Sequence, residues 1–471
     1  MTLEAGRQII KTRDDRVPIR LRKNEAGADG NAPFRVENDA DCGWAKTDEV
    51  FGADKLRPRI EPWLTALVQS EHLSLLVGSG LTHAVHGLAT SNPLPGMATI
   101  EFKNLNAEIT AEAKRTAEET GRESGNFEDQ VRVANELLRG LEILASTTPE
   151  QSSVREKVSA LRTDLHGALK SFAGSILAGE RNIALANSEQ RAQAFDYLVS
   201  FLMSFASRSG TRERLQLFTA NYDRLIEAGA DVAGLRLIDR FVGTLSPVFR
   251  ASRLDVDLHY NPPGIRGEPR YLEGVARFTK LHGSVDWLDG DGAIRRMGLP
   301  FGAEDVAPYF MAPGLQGIDA THLMIYPNAA KDRETTAYPY VELFRDFAAS
   351  ICRPNSTAVC YGYSFGDEHI NRVIEDMLTI PSSHLVIIAH GDPLGRIMQT
   401  YDRLGRHAQI TLLLGDHLGD LRTLVDHYLP KPAIDRTTFR MAELLKARWG
   451  SGLQDDKPDN TPVTPEGAPQ Q

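Results

Sequence analysis

The chain has 471 residues, 41% hydrophobic and 25% charged, which is room for a large core and two or three lobes. Its formal net charge of −10 argues against broad, sequence-independent binding of nucleic acid, so any anionic ligand needs local donors. No stretch has the apolar length of a membrane helix and the first residues lack a signal-peptide block, so a cytoplasmic protein without membrane contact is expected.

Residues 1–55 are polar and weakly periodic and read as an N-terminal arm. In RPRIEPWLTALVQS the spacing of Ile60, Leu64, Leu67 and Val68 predicts a helix. LSLLV at 73–77 reads as a buried strand that enters the glycine turn GSGLT. Between 103 and 213, stretches such as FEDQVRVANELLRGLEIL and AQAFDYLVSFLMSFA carry helical apolar spacing with few breakers. That predicts a helical lobe inserted after the first strand–turn unit, acting as a structural cover or an oligomer interface. Strands then follow in RLQLFTANYD (214–223) and KLHGSVDW (280–287), a helix at about 338–351, and a strand–turn–helix in STAVCYGYSFGDEHIN (356–371). HLVIIAHGD (384–392) and ITLLLGD (410–416) add two more strands. A C-terminal helix is expected over 431–450, and a Pro-, Asp- and Gln-rich disordered tail over 451–471.

Alternating strands and helices predict an α/β fold: a Rossmann-like, mostly parallel sheet with helices on both faces, formed by 56–102 and 214–430. Ligands of such sheets sit at the carboxyl ends of the strands, where GSGLT, TANYD, LHGS, GYSFGD and HGD all fall. Gly78 and Gly80 suit close approach to a phosphate, with the following helix presenting N–H groups. A ligand-free tight turn explains the same glycines, and no P-loop pattern is present. Asn221 offers a donor and an acceptor for a ribose hydroxyl or water, and Asp223 an acceptor for an amide; either also suits a helix-capping turn. His282 at a strand end suits a general base or a structural histidine. Ser364 and Gly366 suit contact with phosphate or ribose, whereas Asp367 reads as the N-cap of the next helix and His369 as structural. His83, His86 and His390 lack metal-ligand spacing. Cys42, Cys352 and Cys360 build neither a disulfide framework nor a zinc module, so no metal is expected.

In this order, GSGLT, TANYD, LHG and GYSFGD resemble the sirtuin family, especially its bacterial branch associated with anti-phage defence, over residues 73–392. The resemblance implies that Gly78, Ser79, Gly80 and Thr82, with Gly362, Ser364, Phe365 and Gly366, bind NAD+. It implies Asn221, Asp223 and His282 as the catalytic set. Asn126 and Glu128 look like an Asn-x-Glu feature of the defence branch. Deacylating sirtuins carry a four-cysteine zinc module, a Gln where Ala220 stands, and a Phe-Arg pair absent from GLATSNPLPGM. Those departures point away from acyl-lysine peptides. The implied activity is hydrolysis of NAD+ to nicotinamide and ADP-ribose, as an effector of antiviral defence. The alternatives are an NAD-dependent protein deacylase and a non-catalytic NAD or ADP-ribose sensor. The resemblance further implies a homo-oligomer paired with a HerA-type ATPase, with nucleic acid met only through that partner.

Overall fold

The computed structural model describes residues 6–431, apart from 24–33, 38–41, 47–48, 95–98, 120–123, 150–151, 209–211, 251–255, 261–269, 291–292, 313, 316–321 and 324–337. The helix expected over 431–450 and the tail over 451–471 therefore lie outside the described residues, Lys431 excepted. Ten strands form one sheet: β1 (Arg7–Lys11), β2 (Ile19–Lys23), β3 (Phe34–Val36), β4 (His72–Val77), β5 (Leu215–Thr219), β6 (Arg236–Ile238), β7 (Val275–Lys280), β8 (Ser356–Tyr361), β9 (His384–Ala389) and β10 (Ile410–Leu414). Their spatial order is β3-β2-β1-β10-β9-β8-β4-β5-β7-β6. Every pair from β10 to β6 is parallel, and β1, β2 and β3 add to the β10 edge antiparallel. Within it, β7-β5-β4-β8-β9-β10 follows the doubly wound order, with its switch point between β4 and β8.

Side chains along these strands alternate between two apolar layers, as a pleated strand buried on both faces requires. Leu75, Val77, Leu217, Val359 and Val386 enter one layer; Leu76, Phe218, Cys360 and Ile387 enter the other. The first layer is covered by α1 (Ala53–Val68), α2 (Ser79–Thr90), α6 (Ser188–Ala206) and α7 (Leu225–Ala233). The second is covered by α8 (Tyr340–Ile351), α9 (Glu368–Leu378) and α10 (Arg396–Leu404). Between α2 and α6, helices α3 (Asn106–Glu119), α4 (Phe127–Ser146) and the first half of α5 (Ser153–Ala184) share a core of their own around Phe127, Val131, Leu161 and Leu165. The later half of α5 packs Ala173 and Leu177 near Tyr222 and Val285. Although α6 falls within the stretch 103–213, its Phe195, Leu198 and Leu202 belong to the layer on the main sheet.

The segment that reads as a polar arm supplies β1, β2 and β3 instead. Gln8 and Lys11 are buried there because distant groups satisfy them. Lys11 Nζ donates to the Ile410 carbonyl at 3.0 Å, and Gln8 Oε1 accepts from the His417 and Leu418 N–H groups at 3.0 and 3.1 Å. Local periodicity carries no trace of partners about 400 residues away. Among the described residues, no helix is long and apolar enough to cross a membrane, and no cluster of three or more His, Cys, Asp or Glu is placed to hold a metal.

Candidate functional site

Strand register brings the polar turns to one rim. Val77 is level with Thr219 and Tyr361, Thr219 with Lys280, and Tyr361 with Ile388. The residues that follow these ends are Gly78, Ala220–Asn221, Leu281–His282, Gly362 and His390.

At the switch point the two glycine turns pack backbone against backbone. The Gly80 N–H donates to the Gly362 carbonyl at 3.0 Å, and the Gly78 N–H to that of Tyr361 at 2.9 Å. A Cβ on Gly80 would lie 2.5 Å from Gly362 Cα, and one on Gly362 would lie 2.6 Å from Gly80 Cα. Gly362 also sits at φ +61°, where other residues are strained. Close approach of the turns is thus reason enough for these glycines, and one N–H expected to face a phosphate is used within the protein. What remains for an anion is the start of α2: Ser79 is exposed at its first position, and its first turn carries no acidic residue to offset the helix dipole. Gly362→Ala combines a clash with left-handed strain and is expected to cost about 2–5 kcal/mol, read as a lower urea midpoint.

Beside that turn, Thr82, Asn221 and Asp223 form a chain of hydrogen bonds. Asn221 Nδ2 donates to the Gly78 carbonyl at 3.0 Å and to Thr82 Oγ1 at 3.1 Å, and Thr82 Oγ1 donates to Asp223 Oδ2 at 2.7 Å. A carbonyl only accepts, so the Gly78 contact fixes which end of the Asn221 amide is nitrogen. Both amide hydrogens are then engaged, leaving Oδ1 as the half-buried side chain's remaining hydrogen-bonding atom. Asp223 Oδ1 accepts from the Leu225 N–H at 3.0 Å, so this carboxylate does cap the chain entering α7.

His282 meets a partner that its sequence neighbourhood does not reveal. Its Nε2 lies 2.9 Å from Asp367 Oδ2, while Asp367 Oδ1 accepts from the N–H groups of His369 and Ile370. Asp367 is the expected N-cap of α9 and orients the imidazole as well. With Asp367 ionised, Nε2 is the nitrogen that carries the proton, and in that tautomer Nδ1 is the basic nitrogen of the ring. The rings of Tyr222 and Phe344 flank the imidazole at 6.3 and 6.5 Å.

In the turn after β8, Ser364 and Gly366 are exposed, but the Phe365 side chain is 4% exposed and packs on Tyr363 at 4.8 Å. Phe365 takes φ +54°, a conformation that costs about 1–2 kcal/mol for an L-residue; the burial of its ring offsets that cost. Arg396 was not singled out by its sequence: its guanidinium reaches the rim beside Gly366, where a Cβ on that glycine would lie 3.0 Å from Nη1. No local motif marks it.

The inserted helices reach the same place. Tyr222 Oη donates to Glu128 Oε1 at 3.1 Å, and Phe172 of α5 meets the Tyr222 ring edge-on at 5.9 Å. Asn126 is the N-cap of α4, in a reciprocal box with Asp129, so of the Asn-x-Glu pair Glu128 alone approaches the rim here. His86 is buried and bonded to Thr90, and His83 and His390 are exposed. No family model matches the chain, and no curated protein matches it.

Proposed function

We propose that the chain hydrolyses NAD+ to nicotinamide and ADP-ribose at this rim. The observation that carries the reading is Asn221, its Nδ2 tied to Gly78 and Thr82 so that Oδ1 is presented as an acceptor one strand from the His282–Asp367 pair. The ordered likeness of the four motifs to sirtuins supports it. In the reaction water attacks the anomeric carbon of the nicotinamide ribose as the carbon–nitrogen bond breaks, and nicotinamide leaves as a neutral molecule with the bonding pair. Asn221 Oδ1 holds the water or a ribose hydroxyl, and His282 Nδ1 takes the proton released. The positive end of α2, with Ser79, faces the pyrophosphate, and Ser364 and Gly366 line the ribose side. Asp223, joined to Thr82, takes the carboxamide.

Unrestrained hydrolysis would empty a cell of NAD+, so activity under trigger, in a cytoplasmic homo-oligomer with a HerA-type ATPase, belongs to the same proposal. The test incubates the purified protein with NAD+, alone and with such a partner, with and without an acyl-lysine peptide. Equimolar nicotinamide and ADP-ribose without peptide is expected. Release that requires peptide would make the protein a deacylase, and binding without turnover under all conditions would make it a sensor.

Asp367→Asn separates the two duties of that side chain. Asparagine caps a helix as well as aspartate does, so the melting temperature should hardly move. Loss of the carboxylate beside the imidazole should nonetheless lower nicotinamide release at least about tenfold.

A further inference from the structure

Lys280 ends β7, two residues before His282, and its side chain is 2% exposed. Its ammonium does not reach solvent. Nζ donates to the main-chain carbonyl of Asp223, on the neighbouring turn, and lies 3.2 Å from Glu227 Oε1, one helical turn beyond Asp223. The same two turns touch twice more: the Tyr222 carbonyl accepts from the Val285 N–H at 3.0 Å and from Ser284 Oγ at 3.2 Å. Those contacts hold the middle of the 221–223 turn, and Lys280 holds its end.

We infer that Lys280, held by Glu227, is a positioning residue that sets the Asn221–Asp223 turn against the His282 turn. The inference rests on the reading of Asn221 and His282 as the reacting pair. A hydrophobic side chain would fill the space behind β7 more cheaply than a buried ammonium, whose desolvation is costly unless it is paired. The ion pair is explained by what it grips. Glu227 keeps 28% of its side chain accessible and lines a cleft together with Phe241, Phe249, Trp287 and the charged Asp239, Arg240 and Arg296. Burial, reinforced by Asp286, raises its pKa to about 7 against the pull of Lys280. The charged groups that face the pair are Arg224 on the turn, Asp286 after β7, and Asp239, Arg240 and Arg296 across the cleft. As pH rises through about 7, Glu227 becomes anionic and completes the grip on Lys280.

The test follows hydrogen exchange of the 221–225 amides in Lys280→Met and Glu227→Gln, beside nicotinamide release from the same proteins. Faster exchange confined to that turn is expected in both. With it, kcat should fall about tenfold in Lys280→Met while KM stays within about twofold, since a displaced turn misaligns groups without removing them. Glu227→Gln should flatten the rise of kcat between pH 6 and 8. Unchanged exchange in the 221–225 segment overturns the inference; if Lys280→Met does not fold, Glu227→Gln decides by the same measure. The exchange result needs no turnover. A wild-type protein that releases no nicotinamide either alone or with the ATPase partner, with a turn that loosens in the variants, therefore refutes the hydrolase reading and leaves the strap standing.

Discussion

Replacing Asn221 with alanine is expected to lower nicotinamide release from NAD+ by at least about a hundredfold, and His282→Ala to do the same. Asn221 offers one hydrogen-bonding atom to a ligand, Oδ1, because Nδ2 is shared between the Gly78 carbonyl and Thr82. Alanine removes that acceptor and also frees Thr82, which then bonds Asp223 alone. The loss to stability should stay near about 1 kcal/mol, since one ordinary hydrogen-bonding group at an open rim is exchanged for water. Asn221→Asp should be as inactive as alanine, for a different reason: it sets a carboxylate oxygen against the Gly78 carbonyl, two acceptors face to face. In His282→Ala the α9 cap survives, because Asp367 Oδ1 still holds the His369 and Ile370 N–H groups. Initial rates of nicotinamide release, with circular-dichroism melting curves alongside, check both variants. Either one working at near wild-type speed removes its residue from the chemistry.

Glu180→Ala is expected to destabilise the protein by about 3–5 kcal/mol, the usual consequence of leaving a buried charge without its partner. Glu180 on α5 is 2% exposed and Arg224 is 5% exposed. Its carboxylate accepts from the Arg224 backbone N–H at 2.8 Å, from Nε at 3.2 Å and from Nη2. The guanidinium also donates to the carbonyls of Leu299 and Pro300, so it cannot swing out to water without breaking these as well. Arg224 directly follows Asp223. The long helix of the inserted region is therefore pinned to the turn that carries Asn221. Denaturant unfolding checks the effect, and a double variant, Glu180→Met with Arg224→Met, should recover much of the loss because no uncompensated charge remains. A single Glu180→Ala variant with an unchanged midpoint would refute the account.

The five rim turns were legible in the sequence because their signals are local. A run such as LSLLV or STAVCY is apolar on both faces, a glycine or polar cluster ends it, and the alternation with helices implies a parallel sheet. The N-cap role of Asp367 was legible for the same reason, since its partners lie two and three residues away. The strands of the first 36 residues were not, because β2 alternates over five residues only and β1 buries Gln8 and Lys11.

By itself, then, the amino-acid order determined the main strands and helices from residue 56 onward, their parallel arrangement and the gathering of Gly78, Asn221, His282 and Gly362 at strand ends, all of which follow from periodicity and turn chemistry within about ten residues. Tertiary structure alone decided who meets whom: His282 with Asp367, Tyr222 with Glu128, Arg224 with Glu180, Lys280 with the Asp223 carbonyl. These partners stand 44 to 94 residues apart in the chain. A hydrogen bond is chosen by distance and direction in space, and a carboxylate far along the chain leaves no mark on the residues around the histidine it will orient.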